Sequence, residues 1–563
     1  MVRSSLARRW LPPFLLAAIM LLFLIANRGA YKGYFDSDDF DNLNFTQHID
    51  TSEFIGDLFS PRVFSNNFRP AGHLFYHSMY RIAGLNFVPY IAAIHGLHLA
   101  NVFFLWLVLR KLGFDHVASL AGTLFFAFQM AVFDAYWKPM YVFDLLCAAF
   151  CLLSLLVYLN NWLIPSLLAF LLAFRAKEVA VMLPVVLALY EFLLHKKRWK
   201  RLIPFFAISL VFGIQALLLN QARHNDYSLR FSPTGIWNCM VFYASKLFLV
   251  PYVGFAVLLF PFLARDRRVR FGVAVFCILL LPMLLLPGRL YSVYLYIPLI
   301  GLAIAMAALT TGRMAMAIAV FFAIWLPWNY ANLRWNRRAE LTAADARRIY
   351  VAELAKVVRQ YSSVPSFYII RAPLGDGGVK DAIQLLRGGS QPIVHDAEAF
   401  NAREALNAPS LAVLEWDPQL RTLHARARLP DTEDSSYITM DPDTPIWQLE
   451  DGWKARVAKF RWTAPSASAR LQRPAKASQF ELAANISPLY IGTVKVSHVE
   501  VFLDGKTIGT REFTHAGWQT VRWDLAPEPA GPVEVKFSTL PPYPADPPLG
   551  LAIGGFGFVQ ERR

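Results

Sequence analysis

Eleven runs of mostly apolar residues recur along the chain, and this pattern constrains the fold more than any other feature. A membrane-spanning helix needs roughly 17 to 25 apolar residues. Since 56% of the 563 residues are hydrophobic, a soluble globular class is excluded. We predict a polytopic α-helical membrane protein of about eleven crossings. The predicted spans are 10–27, 88–109, 117–133, 140–159, 162–174, 178–194, 202–219, 240–262, 271–287, 291–310 and 313–331.

Basic clusters predict the orientation of these spans. They follow the even-numbered spans and precede the first: Arg3, Arg8 and Arg9, then Arg110 and Lys111, then Lys196 to Arg201, then Arg265 to Arg270, then Arg313. Basic residues concentrate on the cytosolic side of membrane proteins. We therefore predict an inner-membrane protein with a cytosolic N-terminus, an uncleaved first span and a periplasmic region after Asn332. The net charge of +15 then indicates membrane-lipid contacts, and we expect no nucleic-acid partner.

Charged residues also gather on the opposite, outer face. Four acidic residues lie within six positions after the first span: Asp36, Asp38, Asp39 and Asp41. The other outer loops hold Asp134, Lys138, Arg175, Lys177, Glu178, Arg223, His224, Asp226, Arg230 and Arg289. Carboxylates beside Arg and Lys at one membrane edge suit a phosphate-bearing substrate that needs an acid or base. A solvated acidic loop is the alternative explanation of the first cluster.

The chain after Asn332 changes composition, so we predict separate domains. Residues 1–332 form the membrane domain, 333–361 a connector helix, 362–435 a small α/β element and 436–563 a β-sandwich of jelly-roll type. Asp504-Gly505 predicts a hairpin turn. Four tryptophans of the sandwich suit either its core or a sugar contact, with the core favoured: Trp453, Trp462, Trp518 and Trp523. Within 28–87, Thr46 to Phe59 and Phe68 to Arg81 predict two surface helices.

Five motifs in order carry a resemblance to a family. They are Asp38-Asp39, Asn67-Phe68-Arg69-Pro70, His98-Leu99-Ala100-Asn101, Ala176-Lys177-Glu178 with Tyr190-Glu191, and Arg289 with Tyr294-Leu295-Tyr296-Ile297-Pro298. Residues 1–332 resemble the C-type-fold membrane glycosyltransferases, above all the membrane domain of TPR-containing protein O-mannosyltransferases. The family's His-Pro-x-His-x-Glu is replaced by Gln129 to Asp134, and TPR repeats are absent from the sequence.

The resemblance implies an inverting transfer of a hexosyl or pentosyl group from a polyprenyl-phosphate donor. The acceptor would be an extracytoplasmic protein, polysaccharide or lipid. It implies Asp38 and Asp39 as catalytic residues, and we expect Asp39 to be the base because Phe40 would exclude water. The expected substrate-binding residues are Arg69, Asp134, Arg175, Lys177, Glu178, Arg289 and Tyr296. A cofactor stays unknown. Were a divalent ion such as Mg²⁺ or Mn²⁺ required, Asp38, Asp39 and Asp134 would hold it.

Structural roles compete with several of these assignments. Asp134 could pair with Lys138, and Glu178 with Lys177 or Arg175. His98 and Asn101 lie mid-helix, where hydrogen bonds between helices are the expected role. Two other functions remain open. A polysaccharide polymerase or ligase would also use lipid-linked sugars, and a lipid-linked sugar transporter would need charged or broken helices at mid-membrane.

Overall fold

The computed structural model describes residues 2–62, 68–194, 198–219, 229–388, 393–395, 410–428, 432–441 and 444–560. Five residues named above lie outside these ranges: Asn67, Lys196, Arg223, His224 and Asp226. The chain divides into two compact units, Met1–Asp345 and Ala346–Arg563. Each is described by itself.

Helices make up the described part of the first unit, and the last of them continues beyond it. They are α1 (Val2–Asn27), α2 (Ser37–Thr46), α3 (Thr51–Phe59), α4 (Pro70–Ala83), α5 (Phe87–Lys111), α6 (His116–Ala127), α7 (Phe133–Trp137), α8 (Val142–Leu159), α9 (Leu163–Ala176), α10 (Leu183–Leu193), α11 (Ile203–Leu219), α12 (Pro233–Leu247), α13 (Phe260–Leu263), α14 (Arg267–Leu284), α15 (Leu299–Leu309) and α16 (Ala315–Gln360). Between them lie 3₁₀ turns, including Pro139–Tyr141, Glu178–Met182 and Ser292–Leu295.

All eleven predicted spans overlap helical segments, but fewer of them are long enough to cross a membrane. In the described residues, five helical stretches have the necessary length and hydropathy: Leu11–Lys32, Phe87–Lys111, His116–Trp137, Pro139–Leu159 and Ala315–Gln360. The membrane character is confirmed, and the count of eleven is not. Shortness is one reason, because the 11 residues of α15 reach only about 16 Å against a hydrocarbon core of about 30 Å.

Helix α15 is the centre of the first unit. All 11 of its residues are buried, as expected for a helix that is apolar on every side. Its neighbour α14 approaches closely where two glycines meet. A Cβ added to Gly301 would lie 2.6 Å from the carbonyl oxygen of Gly272, so larger side chains would separate the helices.

The region between the first two predicted spans holds three short helices. Helix α4 agrees with the predicted Phe68 to Arg81 helix to within two residues. Helix α2 starts at Ser37, so the acidic stretch begins a helix and is no extended loop. Asp at position 36 caps this helix, which explains why it begins there.

The described part of the second unit contains two kinds of sheet. Its first sheet consists of β1 (Ser366–Arg371), β2 (Ile393–His395), β3 (Leu411–Asp417) and β4 (Thr422–Arg428), in the order β2-β1-β3-β4. Helix α16 precedes this sheet in the chain, and helix α17 (Asp376–Arg387) lies between β1 and β2 in the sequence. Strands β1, β2 and β3 are parallel, and β4 is antiparallel to β3. This agrees with the predicted small α/β element.

Two sheets face each other in the rest of the second unit. Their strands are β5 (Tyr437–Thr439), β6 (Trp453–Val457), β7 (Phe460–Thr463), β8 (Ser466–Arg473), β9 (Gln479–Ile486), β10 (Ser497–Leu503), β11 (Lys506–Phe513), β12 (Gly517–Asp524), β13 (Gly531–Leu540) and β14 (Ala552–Val559); the short helix α18 (Pro488–Val494) follows β9. One sheet has the order β11-β10-β13-β8 and the other β12-β9-β14-β7-β6, with β5 on β14.

Alternating side chains from both sheets form one apolar core. Phe480 and Leu482 of β9 meet Val499 and Val535 of the facing sheet. The hairpin turn predicted at Asp504-Gly505 is confirmed, because both residues have positive φ, 46° and 78°.

Candidate functional site

The first turn of α2 gives its adjacent carboxylates different environments. Asp36 caps the helix, and the Asp39 carboxylate accepts the backbone N–H of Asp36 at 2.7 Å, forming a capping box. The other Asp39 oxygen accepts the Tyr76 hydroxyl at 2.6 Å. Asp39 is fully buried, and burial raises its pKa to about 7.

This geometry favours Asp38 over the expected Asp39 as the base. Asp39 is buried and each of its oxygens already accepts a hydrogen bond, so it is less accessible to a substrate hydroxyl than an exposed carboxylate. It holds the start of α2 to α4 through Tyr76. Residues 38 and 39 both lie in the first turn of α2, where Asp38 is exposed and Asp39 is buried.

Asp38 is the exposed carboxylate of the pair. Partial burial, followed by the charge of Asp36, raises its pKa above the ordinary value, and the charges of Arg289 and Lys138 act in the opposite direction. Arg289 therefore lies close enough to interact with Asp38 electrostatically, although 251 positions separate them in the sequence. An accessible carboxylate with a raised pKa beside a cation suits a general base.

Lys138 joins three carboxylates near Asp38. Its ammonium lies 3.0 Å from Asp36, 3.6 Å from Glu340 and 3.9 Å from Asp134. Asp134 thus forms the ion pair with Lys138 that was the structural alternative to substrate binding. Because Asp36 caps α2, Lys138 also stabilises the position of the turn that carries Asp38.

A second ion pair, between Lys177 and Asp144, is buried. The Lys177 ammonium contacts both oxygens of Asp144, each at 2.7 Å, and both side chains are buried. The same ammonium lies 4.7 Å from the ring centre of Tyr294, a cation–π distance. The Tyr294 hydroxyl accepts a hydrogen bond from Arg289 Nε at 3.1 Å. Asp144, Lys177, Tyr294 and Arg289 thus form one connected chain leading to Asp38.

Arg69 and Glu178 form a bidentate pair beside this chain. Arg69 Nε and Nη2 donate to the two Glu178 oxygens at 2.8 and 3.0 Å. Glu178 is 56% exposed, and it follows Lys177 in the sequence. Its partner is therefore Arg69, not Lys177 or Arg175 as considered above. Exposure leaves this pair accessible from solvent.

Two predicted substrate residues lie in other environments. Arg175 is buried, donates to the backbone carbonyls of Ser60 and Arg62, and stacks 4.8 Å from the Phe212 ring centre. Its charge stabilises the segment before α4, so the expected phosphate contact is not supported. Helix α9, which carries Arg175, ends one residue later.

Tyr296 is the second predicted substrate residue that lies in a different environment. It is fully buried, with its hydroxyl 2.8 Å from His98 Nδ1 and 3.0 Å from Asn101 Nδ2, which donates to it. Asn101 also donates to the backbone carbonyl of Leu145 at 2.9 Å. This is the helix–helix hydrogen bonding expected of His98 and Asn101. Tyr296 belongs to the same buried network, so its assignment to substrate binding is corrected.

Sequence reasoning missed Asp144, Glu340 and Tyr76. A signal existed for Asp144, since an acidic residue inside an apolar helix is costly unless it has a partner or a function. Glu340 lies in an ordinary charged stretch of α16, and Tyr76 in an aromatic-rich one. Only the fold brings these two to their partners.

The carboxylates named for a metal do not fit one. Asp39 uses both oxygens on Tyr76 and Asp36, and Asp134 is paired with Lys138. Across the described ranges, no three or more His, Cys, Asp or Glu side chains are arranged to hold an ion. The three predicted carboxylates therefore do not form a metal site.

No family model and no curated protein matches the sequence. Among solved structures, the chain is similar to ArnT from Cupriavidus metallidurans in the apo state, with 13% identity and a TM-score of 0.44, over 73% of this chain and 94% of that one. It is also similar to arabinofuranosyltransferase AftD from Mycobacteria, with 12% identity and a TM-score of 0.42, over 98% of this chain and 60% of that one. Both TM-scores lie below 0.5, so no residue role, substrate or acceptor follows from either likeness.

Proposed function

We propose that the chain is a membrane glycosyltransferase that moves a hexosyl or pentosyl group from a polyprenyl-phosphate donor to an extracytoplasmic acceptor, with inversion. The observation that carries this proposal is the exposed Asp38 carboxylate, with its raised pKa, in the electrostatic reach of Arg289. An acid–base group beside a cation at the edge of apolar helices suits a lipid-linked, phosphate-bearing donor.

Each group has a defined step in the proposed reaction. Asp38 removes the proton from the acceptor hydroxyl, whose oxygen attacks the anomeric carbon opposite the phosphate. The bond from that carbon to the phosphate oxygen breaks, and the lipid phosphate leaves with the electron pair. Arg289 stabilises the charge of the leaving phosphate, and Tyr294 positions the guanidinium through its hydrogen bond to Nε.

The remaining charged pairs position the site. Lys177, neutralised by Asp144, holds the Tyr294 ring, and Lys138 holds Asp36 at the start of α2. Arg69 and Glu178 are exposed enough to contact the sugar hydroxyls. We place this site, and the second unit, on the periplasmic side of an inner membrane. A reporter inserted at Lys200 and one fused to the C-terminus should report opposite compartments; a shared compartment contradicts this orientation.

Strand order supports a finer assignment of the second unit. Strands β7 to β14 change sheet at every connection except the β10–β11 hairpin, and the two sheets have the orders β7-β14-β9-β12 and β8-β13-β10-β11. This is the order of two interleaved Greek keys, so we infer that the sandwich is a jelly roll.

A direct test measures lipid phosphate release. The purified full chain is reconstituted with undecaprenyl-phosphate-linked hexose or pentose and an envelope extract as acceptor. We expect undecaprenyl phosphate to form with the wild type and with Asp50→Asn, which changes an exposed aspartate that precedes α3 outside the site and makes no side-chain capping bond. The double variant Asp38→Asn/Arg289→Ala should release none above background. If the wild type releases no lipid phosphate but carries the donor across vesicles, the transporter alternative replaces this proposal.

A further inference from the structure

The outward surface of the sheet β12-β9-β14-β7 carries Trp518, Phe460 and Trp462, and Tyr543, from the segment after β13, packs on Trp462. These four side chains are hereafter the aromatic face. Its members contact one another in sequence. The Phe460 ring centre lies 6.4 Å from that of Trp518 and 6.2 Å from that of Trp462, and Tyr543 stacks on Trp462 at 6.2 Å with an interplanar angle of 25°. The four rings therefore form a continuous surface.

Strand register explains why this surface exists. Trp518 of β12 lies opposite Asn485 of β9, Asn485 opposite Ala552 of β14, and Ala552 opposite Trp462 of β7. Residues in such a lateral row share one side of the sheet. At about 4.8 Å between strands, the two tryptophan backbones lie about 14 Å apart.

Trp518 leans across this row onto a glycine. A Cβ added at Gly554 would lie 2.3 Å from the six-membered ring, so only glycine lets the indole approach β14 so closely. Trp518 is nevertheless 54% exposed, whereas Trp523, five positions on, is 2% exposed in the core. The core interpretation of the tryptophans is thus right for Trp523 and wrong for Trp518.

Polar groups accompany the rings. Asn485 presents an amide beside Trp518 in the lateral row. Further along the same strand, Glu481 accepts the Tyr437 hydroxyl at 2.8 Å and pairs with Arg522 at 2.7 Å. The two charges of that pair offset each other, so it favours a neutral ligand over a charged polymer or an anionic lipid surface.

We infer that the aromatic face binds a neutral glycan, with a sugar ring on Trp518 and its hydroxyls on Asn485. The C–H groups of a sugar ring provide an apolar surface that packs on an indole, while its hydroxyls hydrogen-bond an amide. A few polar groups beside a mostly apolar surface are typical of small-ligand sites. This site is made of residues of the second unit and its proposal does not depend on the proposed transfer reaction.

Affinity electrophoresis of the full chain in detergent tests the inference, with four soluble probes: mannan, arabinan, galactan and dextran. We expect at least one to retard the wild type. Trp518→Ala should weaken that retardation tenfold or more, Trp518→Phe should restore part of it, and Leu489→Ala should not change it, since Leu489 is 72% exposed on α18. Asn485→Ala should weaken it severalfold, which provides a second variant that leaves the ring in place.

Three outcomes overturn the inference. One is that none of the four polysaccharides retards the wild type. Another is that Trp518→Ala, with an unchanged thermal midpoint, binds as the wild type does. The third is a concentration-dependent increase in mass that Trp518→Ala abolishes without any glycan retardation, which would make the aromatic face a contact between copies of the chain.

Discussion

Two groups of polar side chains in the first unit come from the same set of motifs but have different environments. The edge cluster comprises Asp38, Lys177, Glu178 and Arg289. The buried trio comprises His98, Asn101 and Tyr296, which are fully buried and bond to one another. In the edge cluster, Asp38 and Glu178 remain exposed. Motif membership therefore does not decide between chemistry and packing, whereas access to solvent and the identity of the partners do.

After Asp38, Arg289 is the residue whose substitution should reduce turnover most. We expect Arg289→Ala to reduce turnover by about 10² to 10³, because a leaving phosphate loses its fixed cation. Arg28→Ala, which removes an exposed arginine beyond α1, should leave turnover unchanged. Initial rates of lipid phosphate release at saturating donor decide the matter, and equal rates for the two variants would remove Arg289 from the site.

Lys177 connects the edge cluster to the interior, so its loss should affect stability. Lys177→Met leaves the buried Asp144 carboxylate without its cation, which costs about 3 to 5 kcal/mol. Adding Asp144→Leu should recover much of that loss, because no uncompensated charge remains. Chemical unfolding in detergent measures both. A double variant no more stable than Lys177→Met would show that the uncompensated Asp144 charge does not cause the loss of stability.

Within the buried trio, Tyr296→Phe removes the hydroxyl that His98 and Asn101 share. The expected cost is about 1 to 3 kcal/mol of stability, since their polar atoms lose a buried partner. Transfer per folded molecule should stay at the wild-type level. Tyr252→Phe, at a residue that is 62% exposed, serves as the control for both readouts. A large fall in turnover without loss of stability would return Tyr296 to the substrate site.

The effect expected at Asp39 depends on pH. Burial raises its folded-state pKa from 3.8 to about 7, so folding favours the protonated form. Its contribution to stability is present below pH 3.8 and is lost as pH rises through 7. We therefore expect the thermal midpoint of the wild type to fall relative to that of Asp39→Asn between pH 5 and pH 8. Asp50→Asn should follow the wild type; an identical pH response of Asp39→Asn would show that Asp39 stays ionised.

Local patterns predicted much of the fold. Alternation located strands β10 to β14 of the sandwich but not β5 to β9, and Asp504-Gly505 located a hairpin. The spacing of Asp36 and Asp39 is that of a capping box, so the start of α2 was recognisable in principle. The 11 residues of α15 were ambiguous, because a short run that is apolar on all sides suits a core helix as well as part of a span.

The partners within the site were not predictable in the same way. Asp39 and Tyr76 are 37 positions apart, and Asp144 and Lys177 are 33 apart. No local spacing relates such residues, so the choice between Asp38 and Asp39 required the fold. Apart from Asp144 and Glu340, the charged positions themselves were found from the sequence, since charge beside apolar helices is costly without a purpose.

Turnover of Asp38→Asn and Asp39→Asn, measured side by side at saturating donor and at one pH, tests the central claim most directly. Both substitutions keep the shape of the side chain and remove its charge. Asp38→Asn should lose about two to four orders of magnitude in rate, as expected for a general base. Asp39→Asn should keep most of its activity, because an amide can still accept the Asp36 N–H and donate to Tyr76. The opposite order would make the buried Asp39 the base, and full activity in both would remove this turn from the chemistry.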